Sequence, residues 1–99
     1  MIDWARIQRF DWDEGSRKSV AKHAVSQIEA EQVFFNEPLL VAQDERHSGR
    51  EARFHALGRT DAARMMHVTF TLRYDDTMIR VISARPMHRR ERLRYEEET

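Results

Sequence analysis

The sequence contains no cysteine, so disulfide bonds, thiolate nucleophiles and cysteine-based zinc or iron–sulfur sites are excluded together. Proline and glycine are scarce, with 2 and 3 residues, and three glycines are too few for a phosphate-binding loop or a dinucleotide fingerprint. No apolar run is long enough to span a membrane, and the first ten residues lack the apolar segment of a signal peptide. We therefore expect a cytoplasmic protein.

Lysine is also rare, because 15 of the 17 basic residues are arginine, and 17 acidic residues bring the net charge to zero. The planar guanidinium group favours bidentate recognition of phosphate or carboxylate. The basic charge is concentrated in residues 80–95, where six arginines and one glutamate give a local charge of +5. The length of 99 residues predicts one domain spanning residues 1–99.

Hydrophobic periodicity and capping signals predict the order β-α-α-β-β-β-β-α, an α+β fold whose mainly antiparallel sheet is packed by helices. The first helix is predicted to begin after Asp13 and to end near Lys22, and a capping box at Ser26 begins the second, which ends before Pro38. The third helix is predicted over residues 88–97. The predicted strands cover residues 9–12, 39–43, 51–58, 66–74 and 78–85.

The apolar residues of the two N-terminal helices predict part of the core. Ile28 and Phe35 fall on one face of the second predicted helix, which should be its buried face. Trp12, Phe34 and Phe35 adjoin these capped helices, so we assign them to the core and not to a platform for stacking bases.

Two arginines lie on an otherwise apolar strand, Arg80 within it and Arg85 at its end. An arginine in that position needs an anionic partner, because desolvating an unpaired charge is costly. The partner is either a carboxylate, with Glu51 and Glu91 as candidates, or a phosphate group of a substrate. The pattern leaves both alternatives open.

Glu51, Arg53 and His55 alternate along one predicted strand, so their side chains should point to one face of the sheet. A carboxylate, a guanidinium and an imidazole on one surface form a candidate acid/base set, because histidine exchanges protons near neutral pH. An ordinary exposed sheet face produces the same pattern, so the triplet alone does not establish a site.

The basic C-terminal segment also has two interpretations. Its arginines form either a solvated helix face, with ion pairs such as Arg92 with Glu96 and Arg94 with Glu98, or a surface that binds a ligand. Arginines in the first turn and glutamates in the last oppose the helix macrodipole. That arrangement favours a binding surface.

The remaining cationic side chains carry weaker signals. Lys22 and His23 close the first predicted helix, where capping of terminal carbonyl groups is the simpler interpretation and substrate contact the alternative. His47, His67 and His88 lack the spacing of metal ligands, so we predict no metal site and no cofactor.

Six short stretches of the chain, taken in order, resemble the BrnT family of ribonuclease toxins over residues 9–97. They are residues 10–13 (FDWD), 22–26 (KHAVS), 51–54 (EARF), 57–59 (LGR), 82–85 (ISAR) and 89–96 (RRERLRYE). The resemblance implies a RelE-like fold, a ribonuclease that inhibits translation, and neutralisation by a BrnA-type antitoxin with a DNA-binding domain. The family usually has glycine where this chain has Ala24, which puts a left-handed end of the first helix in doubt.

With the activity that the resemblance implies, the residues predict a metal-independent endoribonuclease that cleaves mRNA. Cations must stabilise the transition state, and a base and an acid must transfer protons. The candidate catalytic residues are Arg80, Arg85 and Arg53 for phosphate, and Glu51 and His55 for proton transfer. The candidate substrate-binding residues are Lys22, His23, Arg59 and Arg89.

The expected partners are an RNA substrate and a BrnA-type antitoxin, with operator DNA bound only through the antitoxin. A hetero-oligomer with the antitoxin is expected, and a homodimer is the alternative for the free chain. The competing hypothesis is a non-catalytic module whose basic C-terminal region binds an acidic protein or nucleic acid. Both hypotheses predict salt-dependent binding to RNA, so turnover must separate them.

Overall fold

The computed structural model describes residues 2–99, which form one five-stranded sheet, three α-helices and two 3₁₀ turns. The strands are β1 (Arg9–Asp11), β2 (Leu40–Asp44), β3 (Arg53–Arg59), β4 (Met65–Arg73) and β5 (Met78–Pro86). The helices are α1 (Glu14–Lys22), α2 (Gln27–Gln32) and α3 (Arg89–Glu98), and the 3₁₀ turns are Trp4–Arg6 and Val33–Phe35. The predicted α+β class and element order are confirmed.

The strands have the spatial order β1-β5-β4-β3-β2. β1 pairs with β5 in parallel, and the other neighbouring pairs are antiparallel. β5 therefore has a strand on each side and lies in the interior of the sheet. A turn with positive φ at Tyr74, Asp75 and Asp76 connects β4 to β5, as the Asp75-Asp76 pair indicates.

Local capping explains where the first two helices begin. The Asp13 carboxylate accepts a hydrogen bond from the Ser16 amide at 2.7 Å, and Ser16 Oγ accepts one from the Asp13 amide at 3.0 Å. Ser26 and Glu29 make the same reciprocal pair, with both distances 3.0 Å. Ala24 follows α1 with φ +56°, so the left-handed bend forms despite the Cβ atom.

One face of the sheet packs against α1 and α2 and forms the main core. Phe70 lies within it, with its ring centroid 5.0 Å from that of Phe34 and 5.4 Å from that of Phe54. The buried side chains of this core are Val20, Val25, Ala30, Val33, Ala56, Met66, Val68, Phe70, Ile79, Val81 and Ala84.

The predicted burial of Ile28 and Phe35 is wrong, because these residues are 67% and 77% exposed. Ala30 and Val33 face the core instead, and Ile28 precedes Ala30 by two residues, or about 200° around the helix. The α-helix then tightens into the 3₁₀ turn at Val33, which turns Phe35 outward. Phe34 packs partly buried against the core as predicted.

Trp12 also packs against the main core, which confirms its assignment, and its indole N–H donates to Glu31 Oε2 at 2.8 Å. A second, smaller cluster forms where α3 crosses one end of the opposite sheet face. Tyr95 of α3 packs there with Leu57 and Met87. Its hydroxyl group donates to the Pro38 carbonyl oxygen at 2.5 Å, which fixes α3 to the segment before β2.

Candidate active site

The sheet face opposite the main core is polar, because imidazole, hydroxyl and guanidinium groups alternate with the buried residues. We call it the polar sheet face. Strand register aligns its residues in three rows, namely Asp44, Arg53, Thr71 and Arg80; then Ala42, His55, Thr69 and Ser83; then Leu40, Leu57, His67 and Arg85. α3 covers the end of this face beyond the third row, which leaves the first two rows more open.

His55 is held in the middle row by two hydrogen bonds. Its Nε2 atom lies 2.8 Å from Asp44 Oδ2, and its Nδ1 atom lies 3.1 Å from Thr69 Oγ1. The hydrogen bond from His55 is the main reason that the pKa of Asp44 falls to about 2, and His47 Nδ1, 3.0 Å from the same oxygen, adds to it. Asp44 is therefore ionised at neutral pH and holds the His55 ring through its Nε2 atom.

His67 lies beside His55 in different surroundings. Its side chain is 12% exposed, and burial, assisted by the charge of Arg85, lowers its pKa to about 4. The ring is therefore neutral at pH 7. Its Nε2 atom lies 3.9 Å from Glu91 Oε2, beyond hydrogen-bonding distance, and its Nδ1 atom is buried without a partner among the described residues.

Glu91 connects α3 to the polar sheet face. Arg85 donates to Glu91 Oε1 at 2.7 Å and to Oε2 at 2.9 Å, and the His88 amide donates to Oε1 at 2.8 Å. Burial alone would raise the pKa of Glu91, but these hydrogen bonds outweigh it and hold the pKa at about 2. The carboxylate partner expected for Arg85 is therefore present, and it is Glu91.

The two imidazole rings lie 4.9 Å apart between centroids, at an angle of 34°. His55, whose side chain is 36% exposed, has an ionised carboxylate beside it, whereas His67 is more deeply buried and neutral. Neighbouring titratable groups with unlike surroundings are a common basis for acid and base roles at one site. The pair is therefore the part of the sheet best suited to proton transfer.

Two clefts lie on the polar sheet face, one at the second and third rows and one at the first row. The helix cleft, of about 540 Å³, lies between β2, β3 and α3, and its lining includes both imidazoles, Arg90 and Arg94. The loop cleft, of about 510 Å³, lies between residues 47–51 and the first row, and Arg53 lines it. A third groove, of about 700 Å³, lies against β1 and the 3₁₀ turns and contains neither imidazole.

Arg53 and His55 share the polar sheet face as predicted, but Glu51 does not lie on the strand. The prediction that Glu51 alternates with them is wrong, because Arg53 N–H donates to Ser48 Oγ at 3.1 Å and closes the loop immediately before β3. Glu51 lies at the loop cleft, with Oε1 3.2 Å from Arg73 Nε. Among residues 2–99, no carboxylate forms an ion pair with Arg53.

Arg80 has carboxylate partners other than the two that the sequence suggested. Its Nη2 and Nε atoms donate to Asp11 Oδ2 at 2.6 and 2.9 Å, and its Nη1 atom lies 3.5 Å from Asp13 Oδ2. The expectation of Glu51 or Glu91 at this position is therefore wrong. Strand β1 lies beside β5 and places Asp11 opposite Arg80, a parallel pairing that local sequence does not reveal.

The four residues predicted to bind substrate are not brought together with His55. Lys22 and His23 are exposed at the C-terminal end of α1, which packs on the opposite sheet face. Arg59 ends β3, and its Nη2 atom donates to the Glu37 carbonyl oxygen at 3.2 Å. Arg89 is the exposed first residue of α3.

Sequence reasoning missed Asp44, Thr69 and His67 as neighbours of His55. The signal for Thr69 and His67 was present, because the polar positions of β4 alternate with apolar ones and define an exposed face. Their approach to His55 depends on the register of β3 with β4, which the sequence pattern did not supply.

Among residues 2–99, no group of three or more His, Asp or Glu side chains is placed to hold a metal ion. None of the helices in that range is long and apolar enough to cross a membrane.

Residues 12–91 match the family model described as ribonuclease toxin, BrnT, of type II toxin–antitoxin systems. The matched segment contains the strands β2 to β5, and with them both imidazoles of the candidate site and Asp44. Comparison with curated proteins finds no match.

Proposed function

The chain belongs to the BrnT family of ribonuclease toxins of type II toxin–antitoxin systems, and we propose that it cleaves mRNA as a metal-independent endoribonuclease and so inhibits translation. The location of the site is supported by the His55–His67 pair, whose ring centroids lie 4.9 Å apart on the polar sheet face. Both rings line the helix cleft with Arg90 and Arg94, and Arg53 lines the loop cleft in the adjacent row. No other part of residues 2–99 brings two imidazole rings this close together.

The proposed reaction is attack of a ribose 2′-oxygen on the neighbouring phosphorus atom. The 2′-oxygen loses its proton as the new O–P bond forms, and the 5′-oxygen gains one as its bond to phosphorus breaks. A 2′,3′-cyclic phosphate and a 5′-hydroxyl group are the products. The reaction therefore needs proton transfer and cations at the phosphate.

We assign the proton transfer to His55 Nδ1, because this ring is the more exposed of the pair and its partner at Nδ1 is the neutral Thr69 hydroxyl group, which the 2′-hydroxyl group of the substrate displaces. Asp44 positions the ring through Nε2, and the Thr69 hydroxyl group contacts Nδ1. His67 packs beside the ring and positions it. Glu51, at the loop cleft, is the candidate for the second proton-transfer group.

Arg53 is the cation best placed to contact the phosphate, because its guanidinium lacks an ion-pair partner in residues 2–99 and lines the loop cleft. Arg80 and Arg85 already hold carboxylates at short distance. They contact phosphate only if it displaces Asp11 or Glu91, so we propose that they mainly position the sheet edge and α3.

The partner proposed for neutralisation is a BrnA-type antitoxin, since a type II toxin is inhibited by a protein. In this proposal the chain acts in the cytoplasm and reaches operator DNA only through the antitoxin. Co-expression followed by size-exclusion chromatography and light scattering gives the stoichiometry of the complex and shows whether the free chain is a monomer or a dimer.

The activity is tested with purified chain and a labelled RNA oligonucleotide in the presence of EDTA. We expect a 2′,3′-cyclic phosphate product, no cleavage where the ribose is replaced by 2′-deoxyribose, and growth arrest when the chain is induced in bacteria without an antitoxin. His55→Ala is expected to reduce cleavage at least 100-fold, the range of general acid–base catalysis. Arg53→Gln is expected to reduce it about tenfold or more.

The matched control is Arg17→Gln, an exposed arginine on α1, which packs against the other sheet face. It should retain full activity. Intact RNA and normal growth with the folded parent chain would contradict the enzyme and favour the binding module. Full cleavage by folded His55→Ala would contradict the site alone, and loss of cleavage in EDTA that Mg²⁺ restores would contradict metal independence.

A further inference from the structure

The helix cleft has a lining suited to a flat, partly apolar ligand. Its floor is formed by Leu40, Ala42 and Leu57, and the imidazoles of His55 and His67 border it. α3 supplies the opposite wall. Proteins stack unpaired bases of RNA on aromatic side chains, and the two imidazoles are the aromatic rings in the lining of this cleft.

The size and position of the cleft fit one nucleotide. Its volume of about 540 Å³ lies within the usual range for small-ligand pockets. β2 forms the edge of the sheet, so the cleft is open on that side and a single strand has access to it. His55 lines the helix cleft, and Arg53, two residues earlier on β3, lines the loop cleft. A base held in the helix cleft therefore lies one row from the position proposed for the reacting phosphate.

The rim of the helix cleft carries both hydrogen-bond donors and a hydrogen-bond acceptor. Arg90 has no carboxylate partner within residues 2–99, and Arg94 Nε donates to Glu98 Oε2 at 2.6 Å. These side chains supply donors and an acceptor above an apolar floor. His67 Nε2 adds unused hydrogen-bonding capacity, because it lies 3.9 Å from Glu91 Oε2 and has no hydrogen-bond partner among the described residues, whereas His67 Nδ1 is buried.

We propose that the helix cleft is a nucleobase subsite that holds one unpaired base of an RNA strand next to the phosphate at His55. This inference rests on the proposed function, because it assigns the base to the RNA that the chain cleaves. It makes cleavage depend on the identity of that base. The loop cleft, which lacks the paired imidazoles and is lined by charged loop residues, binds the strand through its phosphate groups.

The binding test uses four nucleoside 3′-monophosphates, which the chain cannot cleave, and ribose 5-phosphate as the probe without a base. With ¹⁵N-labelled chain, we expect amide resonances of Ala42, Leu57 and His67 to shift. At least one nucleotide should bind tenfold or more tightly than ribose 5-phosphate. Equal affinity for ribose 5-phosphate, or shifts confined to residues 47–53, would overturn the proposal.

The variant test fills the cleft. Ala42 is exposed on the edge strand and lies in the row of His55, so Ala42→Trp places an indole on the cleft floor with little effect on the fold. Gln43→Trp is the matched control, because Gln43 is exposed on the same strand and its side chain points to the opposite face.

Ala42→Trp is expected to weaken nucleotide binding at least tenfold and to change the positions at which RNA is cut, whereas Gln43→Trp leaves both unchanged. Unchanged binding in folded Ala42→Trp would refute the subsite. The two proposals fail separately: nucleotide binding in the cleft without RNA cleavage would refute the endoribonuclease, and cleavage without such binding would refute the subsite.

Discussion

Acid should destabilise this fold through His67. Burial, assisted by Arg85 and opposed by Glu91, lowers its pKa from 6.5 in the unfolded chain to about 4 in the folded protein, and the rings of His55 and His88 add to the lowering. Above pH 6.5 neither state binds the proton. Between pH 6.5 and 4 only the unfolded chain binds it, so stability falls with pH in this window and stops falling below pH 4.

The size of this effect follows from the two pKa values. One pKa unit corresponds to about 1.4 kcal/mol, which gives about 3 kcal/mol for the whole window. Between pH 7 and pH 5 the unfolding free energy should decrease by about 2 kcal/mol. The discount for solvent screening is small because the side chain is 12% exposed. In a 99-residue chain the melting temperature should fall by roughly 8–16 °C.

The measurement is urea unfolding at pH 7 and pH 5 for the parent, His67→Gln and His23→Gln. His23 is exposed at the end of α1, so its substitution should preserve the loss of about 2 kcal/mol, whereas His67→Gln should remove most of it. The carboxylates of Asp44 and Glu91, with pKa values of about 2, lose their contributions at lower pH. The same loss in His67→Gln, or a His67 NMR titration centred near pH 6.5, would refute the reasoning.

Three further substitutions test the packing and the backbone. Gly58→Ala should cost about 1–3 kcal/mol in urea unfolding, because the new Cβ would lie 2.8 Å from Val33 Cγ1; unchanged stability would contradict this close approach. Ala24→Gly should raise the unfolding free energy by about 0.5–1 kcal/mol by relieving φ +56°, and a lower melting temperature would contradict it. Asp11→Ala should cost about 2–4 kcal/mol, because it leaves Arg80 with a carboxylate only at 3.5 Å, and adding Arg80→Met should restore part of this loss; equal stability of the single and double variants would count against the pair.

The parts of the fold that could be predicted from sequence are those that local interactions decide. The caps at Asp13 and Ser26 act within three residues, so the helix starts were visible in the sequence. The exposure of Phe35 was not visible, since it depends on the change to a 3₁₀ turn at Val33. Val33 is buried against Gly58 of β3, and that distant contact decides which residue of the turn faces the core.

The candidate site likewise has one part that local sequence predicts and another part that depends on the register of the sheet. Arg53 and His55 lie two residues apart on one strand, so alternation alone places them on one face. Their partners on β2 and β4 require the register of the sheet. The turn that sets this register between β3 and β4 contains neither glycine nor proline, and Ala63 adopts φ +64° within it. The usual sequence signals for a tight connection were therefore absent.

The arginines form two groups, those that pair with a carboxylate and those that do not, and the zero net charge does not reveal this difference. Within residues 2–99, six of them form ion pairs with carboxylates, namely Arg6, Arg64, Arg73, Arg80, Arg85 and Arg94. Paired charges cancel at short range. The other nine arginines form no ion pair within residues 2–99, and among them Arg53 lines the loop cleft and Arg90 the helix cleft. Arg53 and Arg90 therefore attract a phosphate chain at these two clefts, and at physiological salt the attraction extends over about 8 Å. In the proposed function, a protein of zero net charge holds an RNA strand at these clefts without a basic surface overall, because the positions of the unpaired arginines and not the total charge determine the contact.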